Sequence, residues 1–273
     1  MKKIAIIGDI HGRLDMLMKM HLKIRDAYGD LQLYSTGDLI DRGPDASGVI
    51  QYCIDNNVKA VRGNHDDWLR QLCVNYTFDS LSMHEVMGGR YTAVSYGVQS
   101  AIVGENNREI AEDLFKKVPT SHKNWLSALP IYCKIVMDSG EVYWITHAGL
   151  TIPMANDLTD GLSKVSDDML MASINTPDLI ETFIWTRPNF PKIFDESTPV
   201  KKSTHGNNLY HFKNGAIQVF GHSVTGYPVI DKHYIAIDTG CGTLKREKLT
   251  AVVLPDNVFI TVDDFELSGD QSK

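Results

Sequence analysis

The fold turns on one stretch near the start of the chain, Lys3-Ile4-Ala5-Ile6-Ile7-Gly8-Asp9-Ile10-His11-Gly12. Lys3 to Ile7 is a short, unbroken apolar run, of the kind buried on both faces in a parallel sheet. Glycines then turn the chain sharply and can bring its backbone close to a ligand, while Asp9 and His11 carry side chains able to bind a metal or move a proton. The same arrangement recurs twice. Leu31 to Ser35 reads as a second strand and runs into Gly37-Asp38-Leu39-Ile40-Asp41-Arg42-Gly43-Pro44. Val58 to Val61 reads as a third and runs into Gly63-Asn64-His65-Asp66. Between them Leu14 to Tyr28 has helical spacing, with Leu14, Leu17, Met18, Leu22 and Ile24 apolar, and Ser47 to Asn56 forms a second helix. Strands alternating with helices imply a parallel sheet of βαβ units. Ligands bind such sheets at the carboxyl ends of the strands.

Further on, residues 66 to 130 read as mainly helical around a Gly88-Gly89 break. Ile131 to Met137 and Val142 to Thr146 are strand-like, and the second leads into Thr146-His147-Ala148-Gly149. Asn156 to Pro177 is polar and reads as loop and helix. Ala216 to Phe220 leads into Gly221-His222, and Tyr234 to Ile237 is another strand. Leu249 to Leu254 and Val258 to Val262 flank Pro255-Asp256-Asn257, a hairpin turn. The polar tail, Ser268 to Lys273, is expected to fray. Five strand-end loops therefore carry Asp, His or Asn beside Gly, and all five can converge on one cleft. Each alone is weak evidence: Asp231-Lys232-His233 repeats the Asp-x-His spacing without flanking glycine and reads as a surface pair. Together, carboxylate, amide oxygen and imidazole suit divalent Mn, Fe or Zn. No thiolate joins the set, which argues against a structural zinc site.

The 273 residues carry 27 basic and 34 acidic side chains, a net charge of −7, which argues against general nucleic-acid binding. With 43% hydrophobic and 22% charged residues the chain has the composition of a globular protein, not a disordered one. No apolar run approaches the ~20 residues of a membrane span. The run ending at Gly8 is too short for a secretion signal, so a cytoplasmic protein with no membrane partner is expected. Cys53, Cys73, Cys133 and Cys241 form no CxxC pair and read as reduced thiols, Cys241 packing under the cleft. His21, His84, His122, His205, His211 and His233 lie outside the motif loops and read as surface or structural. No repeat or linker divides the chain, and a single domain over 1–273 and a monomer are expected.

The loops in this order resemble the calcineurin-like metallophosphoesterases. Within them they resemble the Ser/Thr phosphoprotein phosphatases of the bacterial and phage lambda type, with GDxHG, GDxxDRG and GNHE/D. Further stretches are similar: Gly88-Gly89 with Thr92 and Ser95-Tyr96-Gly97 (Met87 standing where those members have Asn), Trp125 to Pro130, Trp185-Thr186-Arg187, and Ile237-Asp238-Thr239-Gly240-Cys241. The resemblance runs from residue 4 to about 255. It implies an α/β fold with a central β-sandwich flanked by α-helices, and cover segments at about 66–130 and 156–210. It implies two divalent metal ions as cofactors, manganese first, with iron or zinc as alternatives. Asp9, His11 and Asp38 would hold the first, Asp38 would bridge, and Asn64, His147 and His222 would complete the second. A bridging hydroxide would attack phosphorus directly. His65 would be the general acid, oriented by Asp41, and Arg42, Arg62 and Arg187 would bind the phosphate oxygens. The implied substrate is a phosphorylated protein or peptide, at Ser or Thr and also Tyr. A symmetrical dinucleoside tetraphosphate (Ap4A) hydrolase is the alternative, and its members resemble Ala-Arg-Gly-Pro where this chain has Asp41-Arg42-Gly43-Pro44. Asp41 favours the phosphomonoesterase. Superfamily nucleases and phosphodiesterases end in GHxH, where this chain has Val224 in the second histidine's place. A catalytically dead metal-binding scaffold would normally have lost a ligand, and none is missing.

Overall fold

The computed structural model describes residues 2–78, 80–83, 87–103, 106–159, 165–174, 176–188, 201–202 and 208–268. The N-terminal units form as their pattern dictates: β1 (Ile4–Ile7), α1 (Leu14–Tyr28), β2 (Gln32–Ser35), α2 (Ala46–Asp55) and β3 (Lys59–Ala60). Gly29, at φ 75°, ends α1, and the Asp45 carboxylate starts α2 by accepting the Gly48 N–H at 2.8 Å. Among the described residues of the next stretch the α-helices are α3 (Asn64–Asn75), α4 (Gly89–Ser95), α5 (Ser100–Val103), α6 (Asn107–Lys117) and α7 (Thr120–Ser127). Then come β4 (Tyr132–Val136), β5 (Val142–Thr146), α8 (Ile152–Thr159), α9 (Asp167–Ser173), α10 (Pro177–Trp185), β6 (Lys201–Lys202), β7 (Ile217–Phe220), β8 (Val229–Ile230) and β9 (Tyr234–Ala236). The chain closes with β10 (Lys248–Leu254), β11 (Val258–Asp263) and α11 (Phe265–Ser268). Much of the segment 156–210 and the tail from 269 lie outside the described residues, as do His84 and His205.

Among the described residues two sheets form, in the orders β11-β10-β1-β2-β3 and β4-β5-β7-β9-β8-β6. Alternation along β1 places them. Ile4 and Ile6 pack with Val252 and Leu254 of β10 against Tyr143, Ile145, Val219 and Ile235 of the second sheet. Ala5 and Ile7 point the other way, into a core shared with Met16, Leu17 and Met20 of α1 and Val49 and Ile50 of α2. The outer face of the second sheet is covered in turn, where Trp144 packs with Met154, Leu170, Met171 and Phe183 of α8 to α10. The expected α/β fold, two layered sheets with helices outside, is what the chain adopts.

The parallel sheet expected of the first βαβ units forms in β1, β2 and β3, and the expected C-terminal hairpin completes it: β10 joins β1 antiparallel and β11 pairs antiparallel with β10. The βαβ alternation governs the chain only as far as β3. The other edge of β1 is left open and is taken by a C-terminal hairpin, whose strands must oppose each other. The second sheet is mixed as well, with β5, β7 and β9 parallel and β4 antiparallel to β5. Parallel β1, β2, β3, β5, β7 and β9 are what matter for function, because their carboxyl ends carry the loops.

Candidate active site

Asp9 and His11 follow β1, and Asp38, Asp41 and Arg42 follow β2. Asn64 and His65 open α3 after β3, His147 follows β5 and His222 follows β7. The loops are tied to each other. The N–H groups of Ile10 and His11 both donate to the Asp38 carbonyl at 3.0 and 2.9 Å, and Gly43 N–H donates to the His11 carbonyl at 3.0 Å. The buried Asp66 carboxylate accepts three backbone N–H groups, from Asp38, Leu39 and Gly63, each at 2.9 Å. It locks the second loop to the third. Among the described residues, five of the eight non-glycine positions with positive φ are His11, Asp38, Asp41, Arg42 and His222. Such concentrated backbone strain marks a site that the surrounding structure enforces.

Asp38 sits at the centre, 2% exposed, with a candidate metal group on each side: His11 and His65 on one, His147 and His222 on the other. The His11 Nδ1 faces the Ile40 carbonyl and the His147 Nδ1 faces the Thr36 carbonyl, both at 2.9 Å. A carbonyl only accepts, so each Nδ1 carries the proton and each Nε2 offers a lone pair. The His147 Nε2 then lies 2.9 Å from Asn64 Oδ1, 3.0 Å from His222 Nδ1 and 3.3 Å from Asp38 Oδ1. Lone pairs of oxygen and nitrogen crowd one another here, and the His222 Nε2 is buried without a partner. Burial pushes His11 and His147 down and His222 to about 2, each helped by neighbouring charge, so these imidazoles are neutral ligand bases. Burial, then Asp238 and Asp38, pushes the Asp9 carboxyl well above the usual range. Buried carboxylates beside convergent neutral imidazoles fit divalent cations, which would relieve both the repulsion and the crowding.

Asp9 stands slightly apart from these groups. Its oxygens accept from the Thr36 hydroxyl at 3.1 Å and the His222 N–H at 2.8 Å. A carboxylate has about four lone-pair sites, so two remain for a cation. His65 behaves differently from the other histidines. Its Nδ1 lies 2.7 Å from Asp41 Oδ2, and the pair is almost fully buried. Burial works against its charged form, but Asp38 and the Asp41 hydrogen bond outweigh it and raise its pKa. That suits a proton donor rather than a ligand.

The three arginines are placed unequally. Arg42 donates to His11 Nε2 at 2.7 Å and stands 3.0 Å from His65 Nε2, so it lies directly over the cluster. Arg187 reaches the His222 carbonyl at 2.9 Å. Arg62 is 8% exposed and engaged with Asp67 at 3.1 Å and the Leu129 carbonyl at 3.0 Å. It lines a cavity of about 620 Å³ between α3 and α10, with Asn64, Trp68, Arg70, Glu181 and Trp185 also in the wall.

Four neighbours of the site carry no role in the sequence analysis. Asp66 holds two loops together, as above. Asp238, at the end of β9, is buried and pushed to about 6 by burial and the repulsion of Asp38. Its Tyr234-to-Ile237 apolar run followed by Asp-Thr-Gly has the pattern of the other five loops, so the signal was present. Trp68 and Thr92 both donate to Asp41. Arg13, beside a motif glycine, is taken up by Asp15, Glu247 and Asp264 and serves as a structural tie. Cys241 is buried against the Ile10 carbonyl and the Met16 sulfur, which agrees with packing beneath the cleft.

The calcineurin-like phosphoesterase family model matches residues 2–226. The chain belongs to that family. Relatives with curated names divide within it. Serine/threonine-protein phosphatase 1 of Salmonella typhimurium is 47% identical over 66 residues, which is 24% of this chain and 30% of that protein. A symmetrical bis(5'-nucleosyl)-tetraphosphatase of Neisseria meningitidis is 43% identical over 72 residues, 26% of this chain and 25% of that protein. Both matches thus span less than a third of the relative. An asymmetrical bis(5'-nucleosyl)-tetraphosphatase of Anoxybacillus flavithermus is 25% identical over 270 residues, covering 94% of this chain and 92% of that one. Among solved structures, a putative diadenosine tetraphosphatase superposes with a TM-score of 0.57 at 19% identity, covering 96% and 93% of the two chains, a likeness of fold. Among the described residues no helix is long and apolar enough to cross a membrane.

Proposed function

We propose that this metallophosphoesterase is a phosphomonoesterase acting on phosphoserine and phosphothreonine of proteins, and on phosphotyrosine too. The observation that carries this reading is the buried His65–Asp41 pair at 2.7 Å. An alkyl phosphate leaves as a strongly basic alkoxide and needs a proton as the P–O bond breaks. A nucleoside diphosphate leaving a dinucleoside tetraphosphate is a far weaker base and departs without one. A protonated imidazole held over the cluster is therefore a device for monoesters.

The residues divide the work accordingly. Asp9, His11 and Asp38 would hold one divalent cation, and Asp38, Asn64, His147 and His222 a second. Manganese is the first choice for a donor set of imidazole, carboxylate and amide oxygen, with iron or zinc next. When bound, the cations supply positive charge to the phosphate and an activated water as nucleophile. Arg42 and Arg187 stand where their N–H forks can grip the non-bridging oxygens. Arg62 can join them from the cavity wall. His65 gives its Nε2 proton to the leaving oxygen, and Asp41 fixes the ring.

The dinucleoside tetraphosphatase reading has its own support in the names of several relatives and in Trp68 and Trp185 lining the adjacent cavity, where bases could stack. A paired assay separates the two. After metal removal and restoration with Mn²⁺, kcat/KM is compared for a phosphoserine peptide and diadenosine tetraphosphate. The proposal expects at least a 100-fold preference for the peptide, about 2.7 kcal/mol in transition-state stabilisation. The reverse preference makes this a dinucleotide hydrolase.

A further inference from the structure

Asp41 makes one hydrogen bond to His65, and the rest of its carboxylate is also occupied. Its Oδ2, the oxygen facing His65, also accepts the indole N–H of Trp68 at 2.8 Å. Its Oδ1 accepts the Thr92 hydroxyl at 2.6 Å, while the Asp41 backbone N–H donates back to Thr92 Oγ1 at 3.0 Å. Asp41 and Thr92 are both fully buried. Asp41 also sits at φ 73°, a conformation it does not choose unaided. Trp68 is one turn beyond His65 on α3, and Thr92 comes from α4, in the helical cover. The carboxylate is thus gripped from two elements, one of them remote in sequence from the loop that carries Asp41.

We propose that Trp68 and Thr92 are positioning residues that clamp Asp41 and, through it, aim the His65 proton at the leaving oxygen. This rests on the phosphomonoesterase reading. As the P–O bond breaks, its electron pair stays on the leaving oxygen, which takes the Nε2 proton. His65 is left neutral and regains a proton from water. If the Asp41 carboxylate rotates, the His65 ring turns with it, and the proton no longer points at the oxygen. Two donors on the carboxylate remove that freedom. They also occupy acceptor sites on the carboxylate beside the one that His65 uses, so Asp41 stays a fixed anchor for the ring.

The clamp predicts a dependence on the leaving group. A good leaving group needs little protonation, so only poor ones should notice a misaimed His65. Trp68→Phe keeps the ring and deletes the N–H, and Thr92→Val keeps the shape and deletes the hydroxyl. In the Mn²⁺-loaded enzyme each should lower kcat on a phosphoserine peptide about tenfold, a part of the ~10²–10⁴ a general acid contributes. Each should change kcat on p-nitrophenyl phosphate less than twofold, with KM steady on both. Thr92→Ser should restore the peptide rate. A second readout needs no metal: the His65 Nδ1–H proton resonance should shift in both deletion variants of the metal-free protein and return in Thr92→Ser. An equal fall on both substrates, or no fall on either, overturns the clamp. His65→Asn distinguishes the underlying reading: if it too is blind to the leaving group, His65 is not the proton donor, and the phosphomonoesterase argument fails with it.

Discussion

At the scale of single residues, Asp66 shows how much a site can owe to a side chain that touches no substrate. Its two oxygens satisfy three buried N–H groups, two on the Asp38 loop and one at Gly63. Removing it leaves all three unpaired in the interior, at ~1–3 kcal/mol each. Relief of its repulsion with Asp38, which together with burial raises its pKa to about 7, offsets part of that. Asp66→Ala should therefore destabilise the metal-free protein by roughly 2–4 kcal/mol, measured as a fall in the urea midpoint. A loss below about 1 kcal/mol would mean that the loops hold without it. Asp66→Asn should cost less, since one amide oxygen can still accept from Asp38 and Gly63. Its NH2 would then face the Leu39 N–H, donor to donor.

The candidate metal-binding positions can be picked out from the sequence because their residue types and glycine-flanked spacing are local. Asp66 lies within a quoted motif, but two of its three partners are 27 and 28 residues away, where no local pattern records them; only the Gly63 N–H, three residues back, is local. The same holds for Trp68, whose position on α3 fits a half-buried helical aromatic equally well. Asp238 was within reach of the strand-end argument, since its loop follows the same rule as the other five.

At the scale of elements, α4 explains the paired glycines. A Cβ on Gly88 would lie 2.5 Å from the Arg42 nitrogen, and one on Gly89 would lie 2.4 Å from the Ser82 carbonyl and 3.2 Å from the Trp68 ring. The two glycines let the start of α4 press against the second loop and the Trp68 indole, which brings Thr92 to Asp41. Gly89→Ala must push backbone aside and should cost about 1–3 kcal/mol, seen as a lower Tm. It should also lower turnover of phosphoserine peptide more than that of p-nitrophenyl phosphate, as Thr92 is displaced. A variant with unchanged Tm would show that α4 has slack at this contact. The paired glycines predict a break here, and the structure gives it a purpose. Element boundaries elsewhere moved for local reasons. β3 shrinks to Lys59–Ala60 because the Arg62 N–H leaves the sheet to bond the Pro130 carbonyl at 2.8 Å. The helix expected from Ser47 begins at Ala46 because Asp45 caps it.

At the scale of the whole molecule, two sheets place six parallel strand ends on one rim, and the candidate site is what that rim encloses. The α/β character and the direction of the first three strands follow from alternation of apolar runs and helices. The antiparallel entry of β10 beside β1 does not, because pairing across 240 residues and more depends on which edge is free once the rest has folded. The net charge of −7 says little about the rim, where buried carboxylates and imidazoles meet Arg42 and Arg187. That local chemistry is the central claim: one carboxylate, Asp38, shared by two cations. Anomalous diffraction from crystals of the protein grown with Mn²⁺ tests it most directly. Two peaks about 3.5–4 Å apart should flank Asp38, one near Asp9 and His11, the other near Asn64, His147 and His222. A single peak, or peaks that leave Asp38 uncoordinated, would contradict it.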